Sequence, residues 1–254
     1  MILSRKNKFL FVKGKKIAGT SVEVMLSAVC GPDDIITPIT PIDERKRLLN
    51  GGMAAQNYGL DAGENEKYLS SLLTCSANDL GSMKIPKGIY FNHMPLTKIL
   101  AVYGEVPEDY TIFAIERCPY RKIISLANMQ LKFQEYQKSG TVMRSDFQAL
   151  KSKIQELVEK GTISQVRNID SYKNQAGVVC VEILQYEQLG SDIENLMDRL
   201  GIANYPKLEH FKKGLSSNDL YLSEIFTSRQ ISLINEMFGD EFEYFKYPMA
   251  KGDM

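Results

Sequence analysis

The sequence from position 14 reads Gly14-Lys15-Lys16-Ile17-Ala18-Gly19-Thr20-Ser21, between two apolar segments. Residues 9–12 before it predict a buried strand, and residues 22–29 after it predict a helix. A basic turn that contains glycine and joins a strand to a helix N-terminus is a common place to bind phosphate or sulfate, because backbone N–H groups and the positive end of the helix dipole face the anion. The stretch therefore predicts an α/β fold with an anion site at its first strand-to-helix turn.

The turn differs from the nucleotide-binding P-loop, G-x-x-x-x-G-K-[ST], at the lysine position. Gly14 and Gly19 have the required spacing, but Thr20 stands where the P-loop has its lysine, and the lysines come earlier, at Lys15 and Lys16. Anion binding through the backbone is still expected. The alternative is an ordinary strand-to-helix turn whose lysines are solvated.

The composition limits the class of protein. The chain has 254 residues, 44% hydrophobic and 24% charged, which is typical of a soluble globular protein with one large or two small α/β domains. Lys and Arg together number 31, as do Asp and Glu, so the net charge does not favour a nucleic-acid partner. No segment approaches the roughly 18 apolar residues of a membrane span, and no apolar signal core follows the charged N-terminus. We expect a cytoplasmic protein with no nucleic-acid or membrane partner, whose oligomeric state the sequence does not indicate.

Cysteine and histidine usage does not favour a metal site. The four cysteines are widely scattered, without metal-ligand spacing, and only two histidines occur. They are Cys30, Cys75, Cys118, Cys180, His93 and His210. We expect buried free thiols and no bound metal.

Strands alternating with helices predict a parallel sheet with helices on both faces. Further strands are expected at 89–91, 111–115 and 178–184, and further helices at 95–103, 120–136, 146–159, 191–201 and 228–238. Ser191 and Glu194 have the spacing of a capping box. Residues 35–87 predict an irregular insertion with short helices at 43–49 and 68–73, which serves either as an acceptor site or as surface packing. No linker divides residues 1–254, which favours a single domain.

A second anion signal lies in Glu116-Arg117-Cys118-Pro119-Tyr120-Arg121-Lys122-Ile123-Ile124-Ser125. The preceding strand delivers Arg117 at its carboxyl end, where open α/β sheets bind ligands. Ser125 falls on the second turn of the following helix. A guanidinium fork and a hydroxyl together suit a phosphate. The alternative is a basic helix start that pairs with acids, and for Arg121 we expect structural ion pairs.

These two motifs resemble those of the P-loop sulfotransferases, which take a sulfuryl group from 3′-phosphoadenosine 5′-phosphosulfate (PAPS) and release PAP. Residues 16–21 are similar to the loop K-T-A-G-T-S, and residues 117–125 to the segment R-x-P-x-x-R-x-x-S. The resemblance implies a three-layer P-loop-type α/β fold with a central parallel sheet and an insertion after the first helix, a PAPS cofactor and no metal. It also implies 3′-phosphate binding by Arg117 and Ser125. The resemblance further implies that the loop residues bind the phosphosulfate; these are Lys15, Lys16, Ala18, Gly19, Thr20 and Ser21.

The loop departs from the family at two positions. Lys15 stands where the family often has proline, and Ile17 where it has threonine. This leaves open which of Lys15 and Lys16 points inward, although the register with Ala18-Gly19-Thr20-Ser21 favours Lys16 as the catalytic lysine.

Two C-terminal segments are similar to the same family. Residues 184–189 resemble its L-R-Y-E-x-L, which implies that Tyr186 lies near the adenosine. Phe211-Lys212-Lys213-Gly214 resembles a basic glycine loop over the 3′-phosphate, with a solvated turn as the alternative.

His93 is the best general-base candidate, because imidazole titrates near neutral pH. Asn92-His93-Met94-Pro95-Leu96 resembles a turn that supplies the base in carbohydrate sulfotransferases. A helix-capping role is the alternative for His93, and Glu116 is an alternative base whose simplest role is an ion pair. The resulting hypothesis is in-line sulfuryl transfer to a hydroxyl or amine of a carbohydrate or small metabolite. Its rivals are a P-loop kinase or NTPase and a non-catalytic nucleotide-binding protein.

Overall fold

The structure is a computed structural model that describes residues 1–139, 146–208 and 222–252, without the side chains of 77, 78 and 137–139. The strands are β1 (Ile2–Ser4), β2 (Phe9–Phe11), β3 (Ile35–Ile36), β4 (Thr111–Glu116) and β5 (Glu182–Gln185). The helices are α1 (Gly19–Ser27), α2 (Pro41–Leu49), α3 (Ala62–Thr74), α4 (Ala77–Ser82), α5 (Leu96–Tyr103), α6 (Pro119–Ser139), α7 (Phe147–Glu159), α8 (Leu189–Arg199), α9 (Leu222–Ile225) and α10 (Ser228–Tyr244). Short 3-10 turns cover Thr162–Val166, Ile169–Tyr172 and Tyr186–Gln188.

The chain divides into two compact units. The first comprises Met1–Gly14, Ala18–Ile115 and Asp170–Phe211, and the second comprises Lys15–Ile17, Glu116–Ile169 and Lys212–Met254. Each unit is formed by segments that are distant in sequence. The single domain expected over residues 1–254 stays a prediction.

The first unit contains a five-stranded mixed sheet in the order β3-β1-β2-β4-β5, flanked by helices, so the α/β class is confirmed. β1 runs antiparallel to both β2 and β3, and β2 runs parallel to β4, with Leu10 opposite Ile112. The predicted wholly parallel sheet is therefore wrong. Only residues 5–8 separate β1 from β2, and so short a connection allows an antiparallel pair but not a parallel crossover.

The stretch 35–87 is more regular than the sequence indicates. It contains β3 and three helices, and each helix has a side chain that accepts a backbone N–H in its first turn. The capping residues are Thr40 for α2, Asp61 for α3 and Ser76 for α4. The helices expected at 43–49 and 68–73 are present, and both begin earlier than expected because the caps lie upstream.

The second unit is helical. The apolar faces of α6, α7 and α10 enclose a core that includes Ile124, Ile154 and Ile234, all fully buried. Thr227 and Gln230 form a capping box at the start of α10, and the helix bends at Phe238, where the backbone leaves helical geometry. The helices expected at 120–136, 146–159 and 228–238 are confirmed, and the last continues to Tyr244.

Three local predictions are wrong. Residues 89–91 form no strand; Ile89 is exposed, and Tyr90 N–H donates to the Tyr58 carbonyl instead. The strand expected at 178–184 is shorter and spans Glu182–Gln185. Ser191 caps nothing, because α8 begins two residues earlier and the Ser191 hydroxyl donates to the Gln188 carbonyl.

Two further observations concern cysteines and membrane spans. Cys30 is buried as expected, whereas Cys180 is exposed. In the part of the chain that the structure describes, none of the helices has the length and apolar character needed to cross a membrane.

Candidate functional site

Lys13, two residues after the end of β2, is a buried cation of the first unit. Its side chain is only 3% exposed, and its Nζ donates to Glu23 Oε2 at 2.6 Å and to Thr20 Oγ1 at 3.5 Å. Glu23 and Thr20 both belong to α1, so Lys13 connects the strand end to the first turns of the helix. Lys13 was not predicted from the sequence. The available signal was that Lys13 directly follows the apolar run 9–12 and that Glu23 is the single charge within residues 22–29.

Glu23 is the anion on which this cluster depends. It is fully buried and also accepts from the Met1 amino group at 2.7 Å, and Arg47 Nη2 lies 4.0 Å from its Oε2. Arg47, itself fully buried, donates to both oxygens of Glu44 at 3.0 Å. Burial would raise the pKa of Glu23, but Lys13, the Met1 amino group and Arg47 outweigh it and hold that pKa well below its usual range. Each buried carboxylate of this cluster therefore contacts at least one buried cation.

The turn between β2 and α1 contains two non-glycine residues of left-handed backbone conformation. Lys16 and Ala18 both have a positive φ, 63° and 61°, although neither is glycine. Anion-binding concavities are formed from left-handed residues adjacent to right-handed ones. Non-glycine residues adopt this conformation only where their surroundings hold them in it.

The first turn of α1 has backbone N–H groups without a described backbone acceptor. Ser21 and Val22 N–H groups donate to the Ala18 carbonyl at 3.0 and 3.4 Å. The helix has no side-chain cap and no acidic residue in its first turn. Within the described residues, no backbone acceptor receives the N–H of Gly19 or Thr20. These two N–H groups, at the positive end of the helix, are the donors that an anion would meet.

His93 is held in one orientation by Lys13. It has a φ of 59°, and its Nδ1 lies 3.3 Å from the Lys13 carbonyl oxygen. A carbonyl only accepts, so Nδ1 carries the proton and Nε2 keeps its lone pair. Burial, and then the charge of Lys13, lower the pKa of His93 to about 4. His93 is thus a neutral imidazole at pH 7 with its basic nitrogen defined.

The depressed pKa predicts acid sensitivity that originates at His93. The unfolded chain takes up a proton near pH 6.5 while the folded chain resists it down to about pH 4. Stability is therefore lost as the pH falls through this window, by about 3 kcal/mol at its lower end. Asparagine tolerates the positive φ but does not titrate in this range. Between pH 7 and pH 4.5 we therefore expect the free energy of unfolding in urea to fall by about 3 kcal/mol less in His93→Asn than in the parent. Parallel pH profiles for the two proteins would contradict this assignment.

In the second unit, Asn168 binds the backbone of Lys15. Lys15 N–H donates to Asn168 Oδ1 at 2.8 Å, and Asn168 Nδ2 donates to the Lys15 carbonyl at 3.1 Å. The Lys15 side chain itself is exposed, whereas Lys16 is half-buried. Asn168 was not predicted from the sequence, because a lone asparagine 153 residues from Lys15 belongs to no motif.

Glu116, at the end of β4, belongs to a buried triad with Lys122 and Glu241. Lys122 Nζ lies 2.8 Å from Glu116 and 2.5 Å from Glu241, and all three side chains are fully buried. Burial raises the pKa of Glu116 to about 7, Lys122 opposes that rise and Glu241 adds to it. Burial also acts to lower the pKa of Lys122, but the two carboxylates outweigh it and raise that pKa. The ion pair expected for Glu116 is therefore present, and its partner is Lys122.

The residues predicted to bind the 3′-phosphate occupy the start of α6. Arg117 is 8% exposed and its backbone N–H donates to Glu116 Oε1 at 2.8 Å; Ser125 is half-buried on the second turn of α6. Arg121 makes no ion pair with any described residue, and its buried Nη1 has no hydrogen-bond partner among them, so the ion pairs expected for Arg121 stay a prediction.

The remaining predicted residues are less informative. Tyr186 is half-buried in the turn Tyr186–Gln188 that follows β5. Lys212, Lys213 and Gly214 lie outside the described residues, as does His210. Among described residues, no group of three or more His, Cys, Asp or Glu side chains is arranged to hold a metal ion.

The structure thus brings His93 and Thr20 into contact with Lys13 in the first unit, and Lys15 and Glu116 into contact with Asn168 in the second. No protein-family model matches this sequence, and comparison with curated proteins and with solved structures finds no match.

Proposed function

We propose that this protein is a PAPS-dependent sulfotransferase, which moves a sulfuryl group to a hydroxyl or amine acceptor. The observation that carries the proposal is the turn before α1. Two residues of positive φ, Lys16 and Ala18, lead into a helix start where Gly19 and Thr20 N–H groups have no described backbone acceptor. This arrangement fits a phosphosulfate group, because it supplies N–H donors and helix-dipole charge without a side-chain cap in the way.

The chain's own residues take the following roles in this proposal. Gly19 and Thr20 N–H groups hold the anion, and Lys16 stabilises the negative charge that grows on the bridging oxygen. Arg117 and Ser125 bind the 3′-phosphate, the group that distinguishes PAPS from ATP. When bound, PAPS supplies an activated sulfuryl group whose sulfur is attacked in line.

His93 accepts the proton in this scheme. The acceptor oxygen or nitrogen forms its bond to sulfur while the bond from sulfur to the bridging phosphate oxygen breaks, and the acceptor proton passes to His93 Nε2. The Lys13 carbonyl fixes the required tautomer. Burial, and then the charge of Lys13, hold the pKa of His93 at about 4, so a bound anion near Thr20 would raise that pKa toward neutrality and strengthen the base.

The acceptor site is assigned to the insertion 35–87. A cavity of about 520 Å³ lies there, between the end of α2 and α3. Apolar side chains of Leu48, Leu60 and Leu69 line it together with the polar Asn65 and Glu66. Its volume is in the range of small-molecule sites, which supports a small metabolite or a short carbohydrate as acceptor.

Nucleotide-dependent thermal stabilisation tests the donor assignment. PAP at a hundredfold excess over its dissociation constant is expected to raise the melting temperature by about 5–10 °C. ATP with Mg²⁺ is expected to give a much smaller shift at the same concentration. Equal shifts would favour the kinase or NTPase alternative, and no shift with PAP would overturn the proposal.

The variant Arg117→Ala tests whether Arg117 binds the 3′-phosphate. It is expected to reduce the PAP shift while it leaves the shift with adenosine 5′-phosphosulfate, which lacks a 3′-phosphate, nearly unchanged. If both shifts fall together, Arg117 does not bind the 3′-phosphate.

A further inference from the structure

The Asn168 side chain makes two hydrogen bonds to the backbone of Lys15, as a neighbouring strand would. Its carboxamide accepts from the Lys15 N–H at 2.8 Å and donates to the Lys15 carbonyl at 3.1 Å, so both polar groups of one peptide residue are satisfied by one side chain. Asn168 is 1% exposed, and the Lys15 side chain takes no part in these bonds. A buried carboxamide paired in this way restrains backbone rotation at Lys15.

The carboxamide is itself oriented by the buried triad. Asn168 Nδ2 also donates to the Glu116 carboxylate, at 3.2 Å to Oε2, and the backbone N–H groups of Asn168 and Ile169 donate to Glu241. Lys122 holds both carboxylates. Because Nδ2 faces acceptors and Oδ1 faces a donor, only one orientation of the amide satisfies its neighbours.

We propose that Asn168 is a positioning residue for the turn at 15–18, which it holds in the conformation that presents Lys16 to an anion. Lys16 has a φ of 63°, a conformation that a lysine keeps only under external restraint. The bonds from Asn168 supply that restraint at the preceding residue. The inference rests on the proposed function for the identity of the anion, but the restraint on the turn is measured independently.

Amide hydrogen exchange measures the restraint directly. In Asn168→Ala the Lys15 amide loses its acceptor, and we expect it to exchange about tenfold faster while core amides of α6 and α7 keep their rates. The matched control is Tyr247→Phe, which removes the bond from the Tyr247 hydroxyl to the Glu116 carbonyl, 3.0 Å, without touching Lys15. Unchanged exchange at Lys15, or faster exchange throughout the unit, would overturn the inference. If Asn168→Ala does not fold, Asn168→Leu replaces it, since leucine is close to asparagine in size and likewise leaves the Lys15 N–H without its acceptor.

Steady-state kinetics measure the consequence. Because Asn168 acts through Lys16, we expect kcat for transfer to fall about tenfold in Asn168→Ala, while the dissociation constant of PAP and the KM for the acceptor change far less. Tyr247→Phe should leave all three constants as they are. If the parent protein binds no PAP, the proposed function fails and the exchange result alone decides the inference. If the parent transfers sulfate and the variant transfers it at the same rate, the positioning role is wrong.

Discussion

Replacing Lys122 with methionine is expected to destabilise the protein by about 3–5 kcal/mol at neutral pH, the largest stability effect of any single substitution considered. The reason is that Lys122 is the shared cation of Glu116 and Glu241, at 2.8 and 2.5 Å, and all three side chains are fully buried. Its Nζ also lies 5.6 Å from the centre of the Phe238 ring. Methionine keeps the length of the side chain but leaves two carboxylates together without a cation.

Lys153→Met is the matched control for this prediction. Lys153 is also largely buried, in the same unit, and its Nζ lies 2.7 Å from Glu156, but Glu156 is 42% exposed and remains hydrated when its partner is removed. A much smaller loss is expected in urea unfolding. The loss in Lys122→Met should also shrink as the pH falls toward the ordinary carboxyl range, because protonation removes the uncompensated charge. Equal losses in the two variants, or a loss independent of pH, would contradict the role given to Lys122.

The fold could be predicted where local apolar patterns determine it. Residues 9–12 and 111–115 are short apolar runs, and they form the adjacent parallel strands β2 and β4. β1 was not predicted, because the apolar run that it contains is too short to show a strand pattern. Its extended conformation is stabilised by pairing with β2 and β3 on either side. That pairing also makes the sheet mixed, a property of the topology that no single segment carries.

Only those parts of the candidate site that are contiguous in sequence could be predicted. The turn at 14–21 and the position of His93 follow from local sequence, whereas the contacts that hold them do not. Lys13 lies 80 residues from His93, and Asn168 lies 153 residues from Lys15. A single sequence gives no reason to choose these partners, since their pairing depends on how the chain folds back on itself.

Lys16→Ala is expected to lower the rate of sulfuryl transfer by about 10²–10³-fold, the largest effect on activity, while PAP binding falls far less. In the proposed mechanism Lys16 acts on charge that develops only as the bond to the bridging oxygen breaks, so its loss affects kcat more than nucleotide affinity. Alanine and lysine bear a similar backbone cost at a φ of 63°, so the conformation of the turn is expected to persist. Single-turnover transfer of radiolabelled sulfate and PAP titration measure the two quantities separately.

Lys15→Ala completes this test, because it removes an identical charge one residue away. The Lys15 side chain is exposed, and its backbone bonds to Asn168 do not depend on the side chain. We expect transfer by Lys15→Ala to stay within a few-fold of the parent, because an exposed ammonium contributes little to a charge that it does not contact. A large loss in Lys15→Ala with little change in Lys16→Ala would exchange the two roles. If both variants keep the parental rate, neither lysine stabilises the leaving group and the turn has no catalytic part in transfer.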